Sequence, residues 1–243
     1  MMVIVTVTKC MAGDLTIHQA VKINLKLNDM AIRLEKGQRI NLEKDNGTKL
    51  KNFCVWCNWG NVKKKIFFGL SEKEIDVDLD LSCMMFDTNG NVADHIWSPL
   101  YNFGGKLPQG KLDSNDRALH HTGDELRAGN DGEIITVDLD RVSGNISSIV
   151  FFLNIYNNKE YSGDFSGIPY ASIRIYEGTP DKVREMFAQY DVATRTDCVG
   201  KRGLILGKLY RHNGDWKFAA IGDAFEDRGI AMTIVRVARD YSK

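Results

Sequence analysis

The chain is poor in the features that mark secreted, fibrous or nucleic-acid-binding proteins. Its 243 residues hold 4 Pro and 5 Cys, with no Ser/Gly-rich linker or low-complexity tract. Five cysteines is an odd count without the spacing of a disulfide framework, so free thiols in a reducing cytoplasm are expected. No sign of charge prevails, since 32 Lys+Arg stand against 32 Asp+Glu. A nucleic-acid binder normally carries a basic excess to neutralise phosphates, which sets that class aside. No apolar run approaches the length needed to cross a bilayer. Met1 to Lys9 lacks a basic leading segment, and Val3, Val5 and Val7 alternate as in a strand, not a signal peptide. With 43% apolar residues, a sizeable core can be buried without disulfides or metal. The expectation is a soluble intracellular globular protein.

What is present is alternation with a period of two. Val21, Ile23, Leu25 and Leu27 alternate with Lys22, Asn24 and Lys26. The same pattern recurs over residues 76–81, at Ile135, Val137 and Leu139, from Ile149 to Ile155, and at Ile173 and Ile175. Asn46-Gly47, Asn89-Gly90 and Asn213-Gly214 suit turns that need positive φ. Two helices are expected. Thr179-Pro180 reads as an N-cap and first-turn pair before a short helix carrying Val183, Met186, Phe187 and Tyr190. Ile230, Ile234, Val237 and Tyr241 give a terminal helix packed across a sheet or domain end. Many short strands with such turns point to an antiparallel, all-β sandwich.

Carboxylates cluster in this frame. Asp76, Asp78 and Asp80 fall at i, i+2 and i+4, so on a strand they share one face, roughly 6.6 Å apart by strand rise. Aspartate is a poor strand former, and three like charges in a row call for compensation. The spacing leaves two readings open: a hard cation held by oxygen ligands, or a solvated acidic face paired with a distant Lys. Asp116, Asp124, Glu125, Asp131 and Glu133 lie in a loop-like run with Gly123, Gly129 and Gly132, whose glycines let carbonyls and carboxylates converge. Calcium tolerates such flexible oxygens better than magnesium does. The pattern is not an EF-hand, because Leu81 and Asp87 stand where its Gly and Glu belong.

Other candidates carry less. Cys54 and Cys57 form a CxxC, but on a strand they leave opposite faces, and ordinary buried thiols are expected. His120 and His121 likewise point apart, though either can bond the acidic loop. No Ser/His/Asp set, nucleophile elbow or Walker A is present. Phe53, Trp56, Trp59, Phe67 and Phe68 are expected to fill the core, and Lys63-Lys64-Lys65 to be a solvated loop.

Several of these segments resemble motifs of the TerD (tellurium-resistance and stress-response) family. Residues 76–82, Asp-Val-Asp-Leu-Asp-Leu-Ser, resemble its D-x-D-L-D-[AL]-S signature. Further similarities keep the family's order: Asp87 to Gly90, Tyr101-Asn102, Asp116 to Asp124, Asn130 to Leu139, Leu209 to Phe218, and Arg239 to Tyr241. The resemblance covers about residues 33–243, with residues 1–32 as an extension of one or two strands or an interaction segment. It implies a calcium-binding β-sandwich with short helices, acting in responses to tellurite and other stresses without catalysis. It places Asp76, Asp78, Asp80, Asp116, Asp124, Asp131 and Glu133 in the calcium region, with Asn102 beside them.

The chain departs from the family pattern at several positions. Gly132 replaces one acid of G-D-D-E, Glu125 stands where Asn is usual, and Phe103 replaces the second Asn of Y-N-N. Trp56 and Asn58 occupy positions that are usually Gly. The first acidic cluster is intact in this comparison, and a second calcium site is weakened or rebuilt around Glu125. Calcium is the expected partner, with other stress-response proteins or a membrane surface as further candidates. Rival readings are a calcium-dependent membrane- or ligand-binding module and a metal-dependent hydrolase, for which no nucleophile can be named. Tellurite is an anion, so the acidic cluster would repel it.

Overall fold

A computed structural model of the protein describes residues 31–66, 68, 70–123, 132–156, 161–191 and 198–243. The alternation at Val21 to Leu27 lies outside these residues. Two six-stranded sheets face each other. The first runs in the order β1 (Ile32–Arg33), β12 (Lys182–Asp191), β11 (Ala171–Thr179), β3 (Asn52–Trp59), β9 (Glu133–Asp138) and β8 (Leu119–His121). The second runs β2 (Arg39–Asn41), β14 (Asp215–Phe225), β13 (Gly203–His212), β10 (Ile146–Ile155), β6 (Leu79–Asp87) and β7 (Val92–Ile96). All neighbours pair antiparallel except β1 with β12. The expected β-sandwich is therefore the observed architecture.

The alternation explains which residues fill it. From β3 come Phe53, Val55, Cys57 and Trp59, and from β6 Leu79, Leu81, Cys83 and Met85, all meeting between the sheets. The other face of β6 sends Met84 and Phe86 outward, where Val150, Phe152 and Ile205 join them beneath the C-terminal helix α1 (Ile230–Asp240). Ile230, Ile234 and Val237 bury that helix's apolar stripe, as their spacing predicts. The long connection after β7 packs Tyr101, Phe103 and Leu107 against the same cluster. Lys111 Nζ lies 2.5 Å from the buried Asp94 carboxylate and ties that connection to β7. The Asn213-Gly214 turn has φ of 52° and 86°, so both residues take the left-handed conformation a two-residue hairpin requires.

Three expectations need correction. The helix expected after Thr179-Pro180 is strand β12. Pro180-Asp181 make the turn between Thr179 and Lys182, and two bulges in β12, with Arg184 and Phe187 as the extra residues, shift its register against β11. Met186 thereby packs outward while Phe187 and Tyr190 join the inner core, which mimics helical spacing in the sequence. Lys63-Lys64-Lys65 is no loop but the middle of β4 (Val62–Ile66), which among the described residues pairs only with β5 (Ser71–Ile75). Phe68, at the turn between them, is fully exposed and does not enter the core. Cys54, Cys57, Cys83 and Cys198 are buried free thiols, with Cys54 and Cys57 on opposite faces of β3.

The helix is fastened by a polar chain beneath it. Arg236 donates from Nε and Nη2 to the two oxygens of Asp227 at 2.9 and 2.7 Å, and stacks over Phe225 at 4.0 Å. Thr233 Oγ1 donates to Asp227 Oδ2 at 3.2 Å and accepts from Asn154 Nδ2 at 2.7 Å. Asp227 is 1% exposed, so removing one partner strands a buried charge. Arg236→Ala is expected to cost about 3 kcal/mol, lowering Tm by about 6–12 °C for a chain of this size. Arg239→Ala, which breaks only the exposed pair with Asp240, is expected to cost under about 1 kcal/mol. Parallel thermal melts of the two variants check the contrast.

Candidate functional site

The acidic segment begins where the β4–β5 hairpin returns and ends inside β6. Asp76 and Asp78 precede the strand in extended chain, and Asp80 is its second residue. Their apolar neighbours Val77, Leu79 and Leu81 enter the inner core, so the acids take the outer face of the second sheet. That is the face covered by α1 and the long connection after β7. Asp76 is half-buried, while Asp78 and Asp80 are 5% and 4% exposed. Tyr101 on the long connection donates its hydroxyl to Asp80 Oδ2. The alternation therefore gives the acids a common face, and the structure adds a covering loop.

Side chains of the other sheet hold the backbone of this segment. Trp59 Nε1 donates to Val77 O at 2.6 Å. Leu81 N–H donates to Glu133 Oε2 at 2.5 Å, and His121 Nε2 approaches Leu81 O at 3.1 Å. Gly123 N–H donates to His121 Nδ1 at 3.0 Å, which leaves Nε2 as the protonated nitrogen and donor. His121 and Glu133 are 2% and 1% exposed, 3.4 Å apart at their nearest atoms. Burial pushes the Cys57 thiol well above its usual range, and the adjacent negative charge of Glu133 pushes it the same way.

The remaining candidates separate. Asp116 holds its own turn and a neighbouring one: it accepts from Ser114 Oγ at 2.6 Å, Ala118 N at 3.0 Å and Ser143 N at 2.8 Å. Asn102 is exposed and accepts Gly104 N–H at 2.9 Å. Asp124 and Asp131 lie outside the described residues. Among the described residues no three His, Cys, Asp or Glu side chains converge as a metal-binding group.

Two neutral oxygens not expected from the sequence lie beside Asp80. Asn154 is its cross-strand partner on β10, and Ser82 is two residues along β6 on the same face. Both are buried, and Asn154 Oδ1 and Ser82 Oγ make no hydrogen bond with any described residue. The Thr233–Asp227–Arg236 chain holds the amide nitrogen of Asn154 and so turns its oxygen the other way. Hard oxygens on one face, some charged and some neutral, fit a calcium ion better than a transition metal. The signal available in the sequence was Asn154 itself, a polar residue set between the apolar run Ile149 to Leu153 and Ile155.

A family model described as the TerD domain matches residues 30–236. Stress response protein SCP2 of Bacillus subtilis is 35% identical over 212 residues, covering 85% of this chain and 99% of that protein. General stress protein 16U of the same organism is 32% identical, covering 87% and 97%. Tellurium resistance protein TerZ of Serratia marcescens is 29% identical, covering 82% and 93%. Among solved structures, a homologue of telluride resistance protein TerD from Streptomyces coelicolor superposes with a TM-score of 0.53 at 14% identity. It covers 80% of this chain and 98% of that one, a likeness of fold.

Asp116 supplies a pH test. Burial opposes its charge, but the hydrogen bonds from Ser114, Ser143 and Ala118 outweigh that and hold its pKa below the ordinary 3.8. A depressed folded pKa stabilises the fold above the unfolded value and loses that stability as pH falls through the folded one. Asp116→Asn is therefore expected to lower stability at neutral pH. The deficit should shrink as pH drops below 3.8. Urea melts of both proteins at a series of pH values check the sign.

Proposed function

The chain belongs to the TerD family of tellurium-resistance and stress-response proteins, and on that premise we propose that it is a non-enzymatic, calcium-binding module of the cytoplasm. The observation that carries the proposal is the outer-face cluster in which the buried Asp78 and Asp80 share a surface with Asn154 Oδ1 and Ser82 Oγ. Asp78, Asp80 and Asn154 are the proposed ligands, with Asp76 at the entrance and Asp124 and Asp131 completing the set from the acidic run. A bound calcium ion would neutralise the facing carboxylates and join that run to β6. Glu133 is a positioning residue, since its carboxylate already holds Leu81 N–H, whereas Asp116 holds the separate turn at Ser143.

The non-enzymatic reading rests on what the local groups are already doing. His121, the histidine beside the acids, has Nδ1 engaged by Gly123 and Nε2 directed at Leu81 O. Neither nitrogen is offered to a substrate as a general base. The named relatives support a stress-response role, and other stress-response proteins are the proposed partners. Among the described residues no helix is long and apolar enough to cross a membrane.

A ligand that binds only the folded state stabilises it by about 2.7 kcal/mol at a hundredfold excess over Kd. At roughly 2–4 °C per kcal/mol, saturating calcium is expected to raise Tm by about 5–10 °C over chelator-treated protein. Magnesium should do much less. Asp80→Asn keeps an acceptor for Tyr101 but removes the charge, and should abolish most of the response. Asp87→Ala should keep it, because Asp87 only caps its own turn through Asn89 and Asn91. Equal calcium shifts in the native protein and Asp80→Asn, or no shift in either, would overturn the proposal.

A further inference from the structure

The β4–β5 hairpin stands apart from both sheets. Its root is fixed, because Ile75 is buried in the inner core and its register partner Val62 packs against that core. From there five residue pairs run outward to Ile66 and Ser71, a reach of roughly 13 Å at strand rise. At the turn, Phe68 is fully exposed and Leu70 is 88% exposed. Among the described residues neither strand pairs with another sheet, and an isolated two-stranded ribbon is marginal in water. A scattered surface leucine needs no explanation, but two large apolar side chains at the end of a projecting ribbon call for a partner.

The charge around that tip identifies the partner's chemistry. Lys63, Lys64, Lys65 and Lys73 are exposed along the ribbon, against Glu72 and Glu74. The ribbon thus carries a local excess of two positive charges in a chain whose 32 basic and 32 acidic residues cancel. In the register Lys63 stands opposite Glu74 and Lys65 opposite Glu72, which leaves Lys64 and Lys73 as the surplus. Lys64 stands opposite Lys73 in the register, so one face of the ribbon is basic from strand to strand. Apolar tip first, lysines behind it with long aliphatic stems, is the order in which a polypeptide meets acyl chains and then phosphates.

We propose that the β4–β5 hairpin docks this protein on anionic lipid membranes, with Phe68 and Leu70 entering the interface and Lys64 and Lys73 contacting headgroup phosphates. The docking uses residues outside the acidic cluster and does not rest on calcium binding. Each lysine near an anionic surface strengthens partition about fivefold, so Lys64→Ser with Lys73→Ser should weaken it about 25-fold.

The test is sedimentation of the full chain with vesicles of phosphatidylcholine alone or mixed with phosphatidylserine, in chelator and again in calcium. The native protein should pellet with the mixed vesicles and not with neutral ones, and added salt should release it. Phe68→Ser with Leu70→Ser should reduce binding at least about tenfold, with Tm unchanged because neither side chain is in the core. Absent binding, equal binding to both vesicles, or binding that survives the tip substitutions would overturn the proposal. Calcium-dependent pelleting indifferent to the tip would assign lipid contact to the acidic region and likewise overturn it. So would a native dimer, without lipid binding, that the tip substitutions convert to monomer.

Discussion

The backbone of β6 at Leu81 must be satisfied from outside its own sheet, and the site end of the sandwich is arranged around that demand. Pairing of β6 with β7 stops at Cys83 and Ile96. On that side Leu81 N–H and C=O meet Glu133 and His121 from the opposite sheet instead of another strand. A buried peptide group left without a partner is costly, so an ionised acceptor and an imidazole donor are strong solutions. Trp59 adds a third link at Val77. Together the three residues fix the acidic segment between two rigid sheets while its carboxylates turn to the outer face.

The outer face then has its own constraint. α1 supplies apolar cover over Met84, Phe86 and Phe152, but at Asp80 and Asn154 the covered surface is polar. The Asn154–Thr233–Asp227–Arg236 chain carries this polarity into the first turns of the helix. It satisfies the nitrogen of the Asn154 amide, while the oxygen, on the residue across from Asp80, is buried without a hydrogen bond to any described residue. Helix docking and the shape of the acidic cluster therefore share one buried hydrogen-bond chain, so a change under the helix is felt at the site.

Much of this fold was legible in residue patterns because a buried face writes a period of two into a strand. Ile135 and Val137 of β9, the Asn213-Gly214 turn and the stripe of α1 all appear where their spacing places them, while Ile149 to Leu153, buried on both faces, is a strand without alternation. The strand β12 was not legible, since its bulges at Arg184 and Phe187 break the alternation and set Met186 outward and Phe187 and Tyr190 inward at spacings a helix would share. The exposed Phe68 was missed for a related reason: aromatic character marks burial only on average, and nothing local says that a hairpin projects. For the site, alternation gives a common face to Asp76, Asp78 and Asp80. It does not say that Glu133 and His121 are bound to backbone across the sandwich, because those contacts span 52 and 40 residues.

The departures from the family pattern at Trp56 and Gly132 are one feature seen from two strands. Gly132 adopts φ of 53°, and a Cβ there would come 2.2 Å from Cys57 O and 2.7 Å from Trp56 Nε1. The indole is itself built into the outer face of the first sheet, with Arg174 over its ring at 4.8 Å and Tyr176 edge-on at 6.3 Å. With tryptophan in that place, an acid at position 132 meets both a side chain and a carbonyl. Where the family pattern has an acid next to Glu133, this chain has a glycine lying against the indole of the neighbouring strand. Beside Asp78 and Asp80 the neighbouring side-chain oxygens of Asn154 and Ser82 are neutral, and they lie on the second sheet. That shifts the weight of the proposed calcium site from the β9 end to the outer face of β6.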